Sequence, residues 1–185
     1  MSILEAFRID LKRYTWRKST RWNIARTFFA KAGFRALVLY RLGHYFYGKK
    51  LGFLASLCQR LMHHLCSCFI HPAAKIGTGF LIAHVGGIVV GSETIIGNNC
   101  DIRQNVTFGG NFNKVNEDGR TQPLLEDNVS IGAGACILGP ITIGSRSIIG
   151  ANSVVTKDVP PGKIAFGIPA KVIKDVWNDQ TSRKL

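Results

Sequence analysis

The sequence predicts a mainly β fold, a parallel β-helix with an α-helical extension ahead of it and a short tail behind. Three observations carry that reading. First, every sixth residue from position 70 is Ile70, Ile76, Ile82, Ile88, Thr94, Cys100 and Val106. After an interruption the count resumes as Leu125, Ile131, Ile137, Ile143, Ile149 and Val155. Second, the residue after these positions is often small, as at Gly77, Ala83, Gly132, Gly144 and Gly150. Third, the chain ahead of Ile70 places apolar residues at helical rather than six-residue spacing. Neither a 3.6 nor a 2 period produces a strict six. A period of six describes a short strand and a turn, three to a coil, with each aliphatic residue pointing into a narrow prism.

Residues 1–68 form the basic α-helical region. Thirteen Lys and Arg stand against Glu5 and Asp10, so this part carries +11 of the formal +13. NIARTFFAKAGFRALVLYRLGHYFYGKK and LGFLASLCQRLMHHLCSCF both read as apolar helices. Three roles fit: a solvated cap, an assembly element, or a membrane-surface anchor. Aromatic residues among the cations (Phe28, Phe29, Phe34, Tyr40, Tyr45, Phe46, Tyr47) suit anionic headgroups. Nucleic acid is not expected, because no binding motif accompanies the charge.

Residues 69–165 form the β-helix. The polar segment 109–123, GGNFNKVNEDGRTQP, breaks the count and reads as a loop thrown out of the coil. Residues 166–185 form the tail, with a short helix expected at KVIKDVWNDQ.

Five cysteines, an odd number without a disulfide framework, suggest a reducing compartment. The first residues, MSILEAFRIDLKRY, carry charges where a secretory leader needs an apolar run. The expected location is cytoplasmic, with a peripheral position on the inner face of the membrane if the helices touch lipid. HHLCSCFIH has three His and two Cys, but its spacing matches no zinc pattern, so no metal is expected.

The stretches IHPAAKIGTGF, AHVGGIVVG, ETIIGNNCDIRQNVTFGG, VSIGAGACILGPITIG, IIGANSVVTKDVPPG and GIPAKVI resemble the hexapeptide-repeat acetyltransferases. The closest likeness is to the serine O-acetyltransferase branch, particularly its shorter relatives in capsule and exopolysaccharide pathways. The resemblance implies a left-handed coil. That handedness comes from the resemblance alone, since parallel crossovers are otherwise right-handed in about 98% of cases. It implies a homotrimer with acetyl-CoA lying in the clefts between prisms. It also implies that His84 is the general base; a lone histidine is otherwise more often structural. His71 is expected to be structural. For acetyl-CoA the resemblance points to Ala133, Ala151, Thr156, Lys157, Lys171 and Lys174. The transfer is expected as direct attack in a ternary complex, with backbone N–H groups stabilising the oxyanion. Cys100, at an inward repeat position, reads as core.

Three departures from the serine branch bear on the acceptor. Phe69 and Ala83 stand where that branch has aspartates, and Thr121-Gln122 precedes Pro123 where it has Arg-His. Serine brings an ammonium that needs a charged partner in a cleft. The expectation is therefore a saccharide acceptor in polysaccharide or cell-envelope biosynthesis, with Phe69, Asp101 and Arg120 at the acceptor. Serine O-acetylation in cysteine biosynthesis is the alternative. A zinc enzyme on the same fold would need three histidine ligands, and the prism offers only His71 and His84.

Overall fold

The computed structural model describes residues 2–15, 20–112 and 114–176. Four helices come first: α1 (Ile3–Tyr14), α2 (Arg21–Ala30), α3 (Ala32–Gly48) and α4 (Gly52–Cys66). Ser2 and Thr20 cap α1 and α2, each side chain accepting an N–H three residues on. Lys12 and Arg13 lie in the last turn of α1, where they suit the helix dipole. The α3 helix is the most buried and packs along α4 through Ala55, Cys58 and Met62. Ser67, in the left-handed conformation at φ 50°, ends α4 and turns the chain into the first strand.

The next strands wind into coils. The first coil holds β1 (Cys68–Ile70), β2 (Lys75–Ile76) and β3 (Leu81–Ile82). The second holds β4 (Ile88–Val90), β5 (Ile95–Ile96) and β6 (Asp101–Ile102). The third holds β7 (Thr107–Gly109), β8 (Leu124–Leu125) and β9 (Ser130–Ile131). The fourth holds β10 (Cys136–Leu138), β11 (Thr142–Ile143) and β12 (Ile148–Ile149). A last partial coil holds β13 (Val154–Val155) and β14 (Lys163–Gly167), followed by β15 (Ala170–Asp175). Each coil adds one parallel strand to each of three sheets, ordered β1-β4-β7-β10-β13, β2-β5-β8-β11 and β3-β6-β9-β12-β14-β15. This is the expected parallel β-helix. All thirteen residues of the six-residue count are buried.

The phase of that count is corrected in one place. Strand partners run Ile70↔Val90↔Phe108, so the first coil takes 20 residues where the second takes 18. The two extra residues lie in the turn that holds His84. After it, Val90, Ile96 and Ile102 are the inward strand centres. Ile88, Thr94, Cys100 and Val106 are buried two residues earlier.

The tail is also corrected. Residues 170–175 are strand, not helix: β15 folds back antiparallel on β14 and covers its open edge. Residues 177–180 of the expected helix lie outside the described residues. The expected boundary at residue 69 also moves, since β1 already begins at Cys68.

A buried ion pair joins cap to prism. Arg41 Nε donates to Asp10 Oδ2 at 3.0 Å, and its Nη atoms donate to the carbonyls of Ile76 and Gly77. Asp10 Oδ1 accepts the Gly79 N–H at 2.7 Å. Burial pushes the Asp10 carboxyl up, while Arg41 and the backbone donors pull it back. The Ile82 N–H donates to Tyr14 Oη at 2.7 Å, and Tyr40 donates to the Ala74 carbonyl at 2.7 Å. Burial pushes the Tyr40 hydroxyl up to about 12.

Candidate active site

Parallel registry decides what shares a corner of the prism. Ile82 pairs with Ile102, Asp101 with Ser130, and Ile131 with Ile149. Two residues beyond Ile82, Ile102, Ile131 and Ile149 stand His84, Gln104, Ala133 and Ala151. They form one column along one edge. Adjacent coils lie about 4.8 Å apart, so His84 and Ala151 are separated by about 14 Å along that edge. An extended pantetheine arm covers such a span. The structure thus brings together the expected base and two of the expected CoA positions, which are 67 residues apart in the chain.

His84 is exposed, on the turn between β3 and β4. Gly86 and Gly87 follow with φ +109° and +62°, a region that L side chains rarely adopt. A Cβ on Gly87 would meet Asn105 Oδ1 at 2.2 Å, so glycine is required for the coils to close behind the histidine. The Asn105 N–H donates to the Gly86 carbonyl at 2.8 Å and fixes the turn.

At the far end, Thr156, Lys157 and Lys171 line a cavity of about 320 Å³ with Val155, Ala165 and Pro169. A bulge in the β14–β15 pair places Lys171 opposite Phe166 and Lys174 opposite Ile164. Phe166 and Ile164 share a face, so both lysines do too. Lys174 does not line the cavity.

The three expected acceptor residues are not together in one chain. Phe69 points outward from β1, 42% exposed, over a cavity of about 350 Å³ lined by Gln59, Arg60, His63 and His64. Asp101 accepts from Ser130 Oγ at 2.8 Å and pairs with Arg103 at 3.3 Å and Arg13 at 3.7 Å. Its carboxylate stitches coil to coil and α1 to the prism. Arg120 lies on the loop after β7, at a different edge from His84. It lines a groove of about 260 Å³ with Lys75, Glu93 and Asp118. Thr121 and Gln122 turn inward: Glu93 Oε2 accepts from Thr121 Oγ1 at 2.6 Å, and Gln122 Oε1 accepts from Thr94 Oγ1 at 3.0 Å. They clasp the loop's return to the coil below.

His71 Nδ1 accepts the Ala73 N–H at 3.1 Å, and the ring packs edge-on against Tyr47. It holds a turn, as expected. Burial pushes the Cys100 thiol up to about 11, so it is no nucleophile near neutral pH. Among the described residues no group of three or more His, Cys, Asp or Glu could hold a metal ion. Sequence reasoning missed Gln104. It stands one coil from His84, and its Oε1 is buried with no hydrogen-bond partner among the described residues. A buried acceptor without a donor is costly, and such an atom in a site marks a place for a ligand N–H or O–H. The signal was present in DIRQNV, a polar residue at a corner position.

A family signature, bacterial transferase hexapeptide (six repeats), matches residues 123–157. A mitochondrial serine acetyltransferase from Arabidopsis thaliana is 39% identical over 183 residues, 99% of this chain and 46% of that protein. The serine acetyltransferase of Escherichia coli K12 is 41% identical over 150 residues, 81% of this chain and 54% of that one. The chain therefore spans about half the length of these sequence relatives. A solved serine acetyltransferase in complex with CoA is 36% identical with a TM-score of 0.79, covering 93% of this chain and 70% of that chain. The chain belongs to the serine acetyltransferase family of hexapeptide-repeat transferases. A member from Neisseria gonorrhoeae, solved in complex with serine, is 36% identical with a TM-score of 0.81, covering 93% of this chain and 69% of that one. The expected capsule or exopolysaccharide type, with its saccharide acceptor, is overturned by these relatives, which are consistently serine acetyltransferases.

Proposed function

We propose that the chain is an acetyl-CoA-dependent O-acetyltransferase whose acceptor is the hydroxyl of serine. The observation that carries this reading is the column His84–Gln104–Ala133–Ala151, on a chain that matches a CoA-bound serine acetyltransferase over 93% of its length. The His84 imidazole takes the serine hydroxyl proton as the oxygen attacks the thioester carbonyl. Backbone N–H groups of the coil stabilise the oxyanion. The tetrahedral intermediate collapses to the ester and the CoA thiolate, which takes the proton back from the imidazolium. Thr156, Lys157 and Lys171 hold the nucleotide end, where cations suit phosphates.

Serine also needs partners for its carboxylate and ammonium. The Phe69 and Ala83 positions supply none. The groove at the loop offers both signs: Lys75 and Arg120 against Glu93 and Asp118. That groove and His84 stand on different edges of one prism. The proposed assembly is therefore a homotrimer in which the loop of one subunit meets the His84 edge of the next.

The test is CoA release from acetyl-CoA with serine, and with 3-hydroxypropanoate, which lacks the amine. Serine-dependent release with the analogue at least tenfold weaker supports the proposal. No serine-dependent release from a protein that binds acetyl-CoA overturns it.

A further inference from the structure

The α4 helix has an exposed apolar row beside its buried face. The buried face is Ala55, Cys58, Met62 and Cys66. Beside it, Phe53, Leu57, Leu61 and Leu65 recur every fourth residue, 82%, 43%, 41% and 53% exposed. The rest of the circumference is polar, with Ser56, Gln59, Arg60, His63 and His64. Four large side chains in one row exceed the scattered apolar residues of an ordinary surface.

Charge says what covers it. Between Asp10 and Glu93 the sequence contains no carboxylate and thirteen Lys and Arg. Arg60 is exposed on α4 itself, and Lys49 and Lys50 are exposed just before it. Tyr45, Tyr47 and Leu51 are half-exposed at the same end, with Lys49 over the Tyr45 ring. A second copy docking here through the same face would set one carboxylate-free, cationic face against another. Nucleic acid offers phosphates but no use for a row of leucines. An anionic bilayer surface supplies both what the leucines need and what the lysines need.

We propose that α4 is a membrane-interface helix that lies flat on an anionic lipid surface. Phe53, Leu57, Leu61 and Leu65 enter the acyl boundary, and Lys49, Lys50 and Arg60 meet the headgroups. At 15 residues the helix is about 22 Å long, suited to lying in the interface. No helix among the described residues is long and apolar enough to cross a membrane. None of the residues it names belongs to the His84 column, so the inference stands whatever the acceptor is.

The experiment is co-sedimentation of the full chain with vesicles of 30% phosphatidylglycerol in phosphatidylcholine, against phosphatidylcholine alone. The expected result is binding to the anionic vesicles, roughly tenfold or more above the neutral ones and weakened by salt. Leu57→Ser with Leu61→Ser, and separately Lys49→Glu with Lys50→Glu, should each lower binding roughly tenfold. Thermal unfolding and light-scattering mass should stay at the parent values. If the leucine pair fails to fold, Phe53→Ser, at the most exposed position, gives the same reading. The proposal is overturned if the parent protein does not bind anionic vesicles. It is equally overturned if only the lysine change matters, since that is adsorption without insertion. A leucine change that alters the assembly mass but not vesicle binding makes the face a subunit contact and overturns it too.

Discussion

The prism and the helical cap hold themselves together in different ways. In the prism each inward side chain stacks on a similar one in the next coil, as Ile82, Ile102, Ile131 and Ile149 do. The load is spread, and no single residue joins distant parts of the chain. The cap has no repeat. Its junction with the prism joins a shared apolar cluster, in which Leu37, Leu39, Tyr40 and Met62 run into Ile70 and Ile82, to a few unrepeated polar contacts at Asp10, Arg41 and Tyr14. Repetition makes the prism legible and tolerant. The cap is specified by pairs that only tertiary structure brings together.

That difference can be broken first at the junction. Asp10→Ala leaves the Arg41 charge buried without its partner and should cost about 3–5 kcal/mol in chemical denaturation. Ile131→Ala, a cavity deep in the prism, should cost about 2–5 kcal/mol. A junction variant that costs well under 1 kcal/mol would mean that the cap is held by its apolar contacts alone.

Gly87→Ala sharpens the contrast within the prism, because here the stacking has no room to give. The φ of +62° and the approach of Asn105 should make it costlier than an ordinary Gly→Ala change, by about 1–2 kcal/mol. Turnover should fall with it, because the turn carries His84. Gln104→Leu removes the unpartnered acceptor beside His84. Stability should hold or rise slightly, while kcat or the serine KM worsens by roughly tenfold. Unchanged kinetics would leave Gln104 a spectator.

The smallest effect concerns pH. Glu126 Oε2 accepts from the Ser145 N–H and hydroxyl, both at 2.7 Å, and these bonds hold its carboxyl below the usual carboxylate value. A depressed folded value means the contribution is present above the unfolded value, about 4.3, and is lost as pH falls through the folded one. Glu126→Gln should therefore lower stability slightly at neutral pH, and its difference from the parent should vanish as pH falls through the folded value.

The six-residue count exposes the prism because burial and backbone path share one period. It hides the two-residue slip at His84, because the corner positions Ile88, Thr94, Cys100 and Val106 are also buried. The count looks unbroken while the strand centres have moved. Residues 171–175 read locally as helix because nothing in the sequence announces an uncovered sheet edge at β14. His84, Ala133 and Ala151 were legible through motifs, and their alignment in one column needed the register. The saccharide acceptor followed from the uncharged Phe69 and Ala83, and two positions do not describe the charge of a whole cleft. Glu93 and Asp118 lie on another edge, where a linear reading does not look.

The most direct test of the central claim is serine-dependent CoA release by His84→Ala, measured beside its acetyl-CoA affinity and unfolding curve. A loss of about two to four orders of magnitude in kcat, with affinity and unfolding unchanged, is the predicted result. Turnover at the parent rate would contradict it.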